Sequence, residues 1–182
     1  MKYLLPLLLM GPTHTPQKLE VAATEASITL GPPVRKGTWI VEPTIIICAN
    51  APVREDRVKR AVDFWQKLGY NLGEIVVAEP NDFSCAREII LIGEIIIDLV
   101  GQDFLVTDHL AITRTWIHKE TNEILKAKIE IMSGWGNSER IMEHELGHAL
   151  GWRDYNRLGH IMHEQWDIGG HNTKGLKNET IN

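Results

Sequence analysis

The chain has 182 residues, the length of one ordinary domain, and its composition of 43% hydrophobic and 24% charged residues is close to the globular average. These values argue against a disordered, collagen-like or multi-domain protein. With 19 Lys and Arg against 24 Asp and Glu, the formal net charge is −5, and the basic residues are scattered. Nucleic-acid-binding proteins concentrate positive charge, so we expect polypeptide or small-molecule partners and no nucleic acid.

No membrane span is predicted from the sequence. No apolar run reaches the roughly 18–20 residues that are needed to cross a bilayer. The longest run, residues 89–100, is interrupted by Gly93, Glu94 and Asp98.

The first ten residues resemble the start of a secretory signal, because Lys2 is followed by an apolar stretch. That stretch is short and contains Pro6, and the nearest small-residue pattern, at residues 21–23, lies beyond a polar segment. An N-terminal strand or arm packed on the domain is the alternative. Whether residues 1–23 form a cleaved signal therefore stays open.

The segment that follows is rich in residues that break regular structure. Residues 11–37 hold four prolines and three glycines, a composition typical of an extended, turn-rich chain. We therefore expect an extended N-terminal arm, a weak signal or a pro-segment at residues 1–38. The folded domain is expected to occupy residues 39–182.

The first half of this domain predicts one helix among several strands. A β-branched and apolar segment at 39–49 predicts a buried strand, and apolar residues recurring at helical spacing predict a helix at 53–68. Asn50 and Pro52 precede this helix as a cap and a first-turn proline. Further strands are predicted at 74–78 and 88–91.

The second half predicts a hairpin and then a helix. Apolar runs at 110–118 and 124–132 flank a polar turn, which is the pattern of two antiparallel strands. Ser138 can cap a helix at 139–151. The order of strand, helix, several strands and helix predicts an α+β domain with a mixed sheet.

Cys48 and Cys85 are the two cysteines of the chain, and they lie 37 residues apart. This spacing fits neither a disulfide-rich scaffold nor a cysteine zinc site. A single disulfide and two free buried thiols both remain open.

The last predicted helix carries the motif H-E-x-x-H at residues 144–148. His144 and His148 lie one helical turn apart on the same face, so both imidazoles can bind one Zn²⁺. Glu145 is placed to take a proton from the water that the zinc activates. The motif alone occurs by chance in about 3% of chains with this composition.

Two further residues, both downstream of the motif, make a chance match far less frequent. Gly151 follows His148 at the third position and can end the helix in a left-handed conformation that turns the chain back toward the metal. Asp154 follows three residues later, and Met162 after eight more. Requiring Gly151 and Met162 as well lowers the chance frequency to about one in ten thousand.

These residues resemble the metzincin clan of zinc endopeptidases, in particular the matrixins, whose motif is followed by a methionine-containing turn. Met162 lies at the matrixin spacing for that turn. Residues 110–116 resemble the strand at the upper rim of the clan's cleft, and residues 1–38 resemble nothing in the family. The resemblance implies a metzincin-like α+β fold. This fold has a mixed twisted sheet, an active-site helix, a methionine turn and a short C-terminal subdomain.

The third zinc ligand departs from the clan pattern, which has a histidine where this chain has Asp154. A carboxylate is an accepted zinc ligand at about 2.0–2.2 Å, and Asp154 is our choice. His160 and His163 are the competing ligands, because both lie in the methionine turn. Asp154 could also simply cap the turn that follows Gly151.

The resemblance implies peptide hydrolysis. Zinc would polarise the scissile carbonyl, and Glu145 would act as general base on water and then deliver the proton to the leaving amine. His163 and Tyr155 are candidate hydrogen-bond donors to the oxyanion. Met162 is expected to pack under the ligands without binding the metal.

A second interpretation is a metzincin-like domain that serves as a structural or docking component of a larger assembly, such as a phage particle, with little or no proteolysis. Glu145 favours the enzyme, because a purely structural zinc site needs no base and usually has four protein ligands. Under either interpretation the sequence leaves the compartment open, and it favours a secreted protein, or a part of an extracellular or virion assembly, over a membrane protein.

Overall fold

The structure is a computed structural model that describes residues 31–86, 91–101 and 109–178. It is a mixed α/β arrangement with a five-stranded sheet and few helices, compatible with the predicted α+β class. The elements in chain order are β1 (Thr44–Ile47), α1 (Glu55–Gln66), β2 (Ile75–Val77), α2 (Phe83–Ala86), β3 (Glu94–Leu99), β4 (Ala111–Ile117), β5 (Ile124–Ile131) and α3 (Ile141–Ala149).

The sheet is mixed, as the sequence predicts. Its strand order is β2-β1-β3-β5-β4, and the first four strands run parallel. β4 pairs antiparallel with β5 at one edge, so the predicted hairpin is confirmed. None of the helices in the described ranges is long and apolar enough to cross a membrane.

One central strand lies where none was predicted. β3 occupies Glu94–Leu99, and Ile95, Ile96 and Ile97 are almost completely buried. Glu94 and Asp98, at the ends of this run, interrupt the apolar pattern and hide the strand from periodicity. The strand predicted at 88–91 lies largely outside the described residues, and Leu91 is not part of a strand.

The first strand is shorter than predicted. β1 begins at Thr44 rather than at residue 39, directly after Pro43, which has no N–H with which to extend the ladder. Trp39 instead donates its indole N–H to the carbonyl of Ala149, 2.9 Å away. The segment before β1 thus contacts the end of α3.

Both long helices are found, but they begin differently from the prediction. α1 starts at Glu55 after Arg54, and the backbone N–H of Arg54 donates to Asn137 Oδ1. α3 starts at Ile141 after Arg140, which is left-handed with φ +69° and provides no side-chain cap. The predicted caps were therefore wrong, because the preceding segments fold as turns that end a few residues later than expected.

The main core lies between α1, α3 and one face of the sheet. Trp65 of α1 is fully buried and donates its indole N–H to the carbonyl of Glu143, 2.8 Å away in α3. Arg57 of α1 forms a buried ion pair with the Glu143 carboxylate. These contacts fix α3 against α1.

Cys48 and Cys85 form a disulfide, with Cα atoms 5.6 Å apart. Of the two alternatives that the sequence left open, a disulfide and two free buried thiols, the structure has the disulfide. The cystine belongs to a second, small apolar cluster with Ile46, Ala78 and Ile96 on the other face of the sheet. The two faces of the sheet are therefore packed separately.

Candidate metal centre

Helix α3 presents His144 and His148 to an open cleft and packs its opposite side tightly against the core. Gly147, between the two histidines, leaves no room for a side chain. A Cβ there would overlap the Met162 sulfur and lie 2.7 Å from Cζ2 of Trp65. Met162 is fully buried and its sulfur packs against α3 at Gly147, so the methionine lies under the helix that carries the two histidines, as predicted.

The chain turns sharply after α3. Gly151 has φ +97°, the left-handed conformation that the sequence predicts for it. A Cβ at this position would also overlap the carbonyl oxygen of Gly37. The turn brings Asp154 back beside the histidines.

Three donor atoms converge in this cleft. The Nε2 atoms of His144 and His148 are 3.0 Å apart. Asp154 Oδ1 lies 3.6 Å from the first of these nitrogens and 3.3 Å from the second. Tetrahedral ligands at zinc bond lengths are about 3.3–3.4 Å from one another, so the spacing fits a metal ion. These three residues could therefore hold a metal.

The other ring nitrogen of each histidine is already hydrogen-bonded. Nδ1 of His144 donates to the carbonyl of Ile161, 2.9 Å away. Nδ1 of His148 donates to the carbonyl of Trp152, 2.8 Å away. Histidine ligands of metals are usually oriented by such contacts, which keep the lone pair on Nε2.

Charge in the cleft is coupled between His148 and Asp154. Burial lowers the pKa of His144 below its ordinary value. Burial also opposes the charging of His148, but its hydrogen bond to Asp154 and the nearby Glu145 charge together raise the pKa of His148. The same hydrogen bond lowers the pKa of Asp154. The contact between His148 and Asp154 thus favours the charged form of both side chains, whereas burial favours neutral His144.

Glu145 faces the cleft and is held from the edge strand β4. Glu145 is only 6% exposed. The hydroxyl of Thr113 donates to Oε2 of Glu145 across 2.6 Å. The sequence motifs do not single out Thr113. The signal that could have indicated it is its position in residues 110–116, which resemble the strand at the rim of the metzincin cleft.

The cleft is wide enough for a chain of several residues. Its volume is about 1100 Å³, and its walls come from β4, α3 and the segment after the methionine turn. His163 lies in this wall and accepts a hydrogen bond at Nδ1 from the backbone N–H of Gln165. Tyr155 is buried against the His160 ring, 4.8 Å away, and is absent from the cleft lining that the described residues form. Of the two candidate oxyanion donors, only His163 faces the cleft.

His160, one alternative third ligand, is fully buried and engaged at both ring nitrogens. Nδ1 accepts from the backbone N–H of Met162, 3.1 Å away, and Nε2 donates to the carbonyl of Lys174, 3.2 Å away. His163, the other alternative, is not in the group of donors that could hold a metal within the described ranges. The structure brings Asp154 to the two histidines instead.

No family model, curated protein or solved structure matches this chain. The metzincin resemblance consequently depends on the residues quoted above.

Proposed function

We propose that this chain is a zinc-dependent endopeptidase of the metzincin type, with His144, His148 and Asp154 as metal ligands and Glu145 as general base. The observation that carries the proposal is the triangle of donor atoms, 3.0 to 3.6 Å on its sides, beside a buried carboxylate in an open cleft. A mixed sheet with the metal helix packed on one face is compatible with the metzincin-like α+β fold.

A bound zinc ion would supply a Lewis acid that acidifies water and polarises a carbonyl oxygen. Asp154 would lower the net charge of the centre from +2 to about +1, which makes it a weaker Lewis acid than a three-histidine site. Glu145 would take the proton of the attacking water and later give it to the leaving amine. The hydroxyl of Thr113 donates to one carboxylate oxygen of Glu145, which leaves the other oxygen for this proton.

The edge strand supports a polypeptide substrate. β4 pairs on one side with β5 and forms one border of both the sheet and the cleft. An extended peptide can add to such an edge through main-chain hydrogen bonds, which would lay a peptide bond across the metal centre. His163 in the opposite wall would donate a hydrogen bond to the oxyanion.

The number of ligands favours catalysis over a purely structural role. Within the part of the chain that the structure describes, the donor group has three members and no fourth protein ligand. Structural zinc sites are usually closed by four, whereas catalytic sites keep one position for water or substrate. A domain that serves only as a component of an assembly is the alternative that the experiment below must exclude.

The disulfide supports an extracellular location. Disulfides form and persist in oxidising compartments and are rare in the cytosol. The bond between Cys48 and Cys85 therefore favours a secreted protein or a component of an extracellular or virion assembly.

The test compares wild type with Glu145→Ala in zinc content and in digestion of casein or gelatin. We expect equal zinc content and a loss of about 10²–10⁴-fold in hydrolysis, because the base is removed while the ligands stay. Glu120→Ala, in an exposed turn, is the matched control and should digest as fast as wild type. Zinc binding without digestion by the wild type would favour the assembly component.

A further inference from the structure

We propose that residues 34–37, here called the N-terminal strap, are a positioning element of the metal centre, with Arg35 as their central side chain. The sequence placed these residues in an arm or pro-segment. The inference rests on the metal site of the proposed function but does not depend on peptide hydrolysis.

The backbone of the strap is paired with the turn that leads to the third ligand. The N–H of Lys36 donates to the carbonyl of Gly151 across 2.8 Å, and the N–H of Arg153 donates to the carbonyl of Val34 across 3.0 Å. These two bonds flank the antiparallel bridge between Arg35 and Trp152. The strap therefore holds the chain on both sides of residue 152, directly before Asp154.

The Arg35 side chain closes the end of α3. Its Nε donates to the carbonyl of Leu150 across 2.9 Å, where the partial negative charge of the helix terminus favours a cation. The guanidinium lies 4.9 Å from the centre of the Tyr70 ring and 5.8 Å from that of Trp152. Nη1 donates to Asn178 Oδ1 across 3.1 Å. Arg35 thus joins the helix end, the turn and the C-terminal segment.

The strap supports two of the three proposed ligands, His148 and Asp154, through its contact with Trp152. Trp152, its bridge partner, accepts the Nδ1 hydrogen bond of His148 through its carbonyl. Asp154 follows two residues later in an irregular segment, and its side chain is 47% exposed. A rigid helix orients the histidines, whereas Asp154 depends on this turn for its position. Ordering a free segment at the moment of metal binding would weaken the affinity.

These contacts bear on any processing of the N-terminal segment. If a leader or pro-segment is removed from this chain, a cut before Val34 would keep the strap and its support of the turn before Asp154. A boundary at residue 38 would remove the strap.

The first experiment measures zinc affinity of the full chain by competition with a chelator. Arg35→Met is expected to bind zinc about 10–100-fold more weakly than wild type, the usual effect of removing a group that orients a ligand. Arg54→Met, which removes an exposed arginine before α1, should stay within twofold of wild type. An unchanged affinity in folded Arg35→Met would overturn the proposal.

A second pair of variants acts on the backbone alone. Lys36→Pro deletes the N–H that donates to Gly151, and Lys36→Ala keeps it. We expect the proline variant to bind zinc at least tenfold more weakly than the alanine variant. Equal affinities would contradict the role of the strap.

A third measurement needs no variant. Coupling between two sites is reciprocal, so a strap that strengthens zinc binding must itself be stabilised by zinc. Zinc should slow hydrogen exchange of the Lys36 and Arg153 amides at least tenfold more than that of the Gly73 amide, which donates to Pro43. Equal slowing would overturn the proposal. Absence of zinc binding by the wild type would instead overturn the proposed function.

Discussion

Thr113 controls the orientation of the proposed base, and its effect can be separated from folding. Thr113→Val keeps the shape of the side chain but removes the hydroxyl that donates to Glu145 Oε2. Hydrogen bonds to charged groups contribute about 1.5–3 kcal/mol. We expect kcat to fall about tenfold or more with little change in KM, and zinc content to stay the same.

Thr113→Ser is the rescue variant for this prediction, because it retains the hydroxyl. It should keep most of the wild-type kcat in the same peptide assay. A valine variant as active as wild type would show that Glu145 needs no orientation from β4.

The pKa of His148 would set the pH dependence of the proposed zinc binding. The pKa of this imidazole is raised above its ordinary value of 6.5, and that of His144 is lowered. Zinc must displace a proton from His148 at pH values below its folded pKa, so affinity is constant above that pKa and falls as the pH drops through it. Zinc must displace a second proton, from His144, only at lower pH, because the pKa of His144 is lowered.

Zinc affinity measured by chelator competition between about pH 5 and 9 tests this order. As the pH falls, the slope of the logarithm of zinc affinity against pH should first approach one proton released per zinc bound. It should become steeper only at the acidic end of the range. An affinity that stays constant well below pH 6.5 would contradict the raised pKa of His148.

The sequence could indicate that the two histidines of the motif lie together, because that signal is local. His144, Glu145 and His148 lie within five positions on one helix, where periodicity alone fixes their relative directions. Thr113 and Arg35 could not be found this way. Their partners are 32 and 115 residues away in the chain.

Helix α3 depends on a glycine at its centre. Because a Cβ at Gly147 would overlap Met162 and crowd Trp65, Gly147→Ala should destabilise the protein by about 1–3 kcal/mol despite the better helix propensity of alanine. Urea unfolding measures this change. Gly101→Ala is the control, since none of the described residues has an atom within 4 Å of the added Cβ there.

A gain in stability for Gly147→Ala would mean that α3 can move away from the methionine turn. Such movement would also displace His144, whose Nδ1 is bonded to Ile161 in that turn. The zinc affinity of the variant therefore provides a second readout of the same packing.

At the scale of elements, the predictions succeeded where one face of an element is buried. α1 and the β4–β5 hairpin show clear periodicity, and both were found within a few residues of their ends. β1 and β3 are both buried on two faces, but only β1 has an unbroken apolar run, whereas Glu94 and Asp98 interrupt that of β3. The helix starts were wrong because turns formed by distant contacts, such as Arg54 with Asn137, decide them.

The disulfide stabilises the molecule as a whole without contacting the metal centre. It joins residues 37 positions apart, on the sheet face opposite α3. Replacing both cysteines by serine should lower the free energy of unfolding by about 2–4 kcal/mol. Zinc affinity of the folded variant should be unchanged.

Urea unfolding and chelator competition on the double serine variant test both parts. The variant is preferable to a reducing agent, because thiol reagents also bind zinc. Weakened zinc binding in the folded variant would show that the two faces of the sheet are coupled.

The contact between Arg35 and Leu150 also constrains when the candidate metal centre can form during synthesis. A ribosome releases residue 35 long before residue 150 exists, and 115 positions separate the two partners. The centre can therefore assemble only after nearly the whole described chain has emerged. If the proposed peptidase activity is correct, a shorter nascent chain would lack it, so the topology delays any cleavage of neighbouring chains until both partners of this contact have emerged.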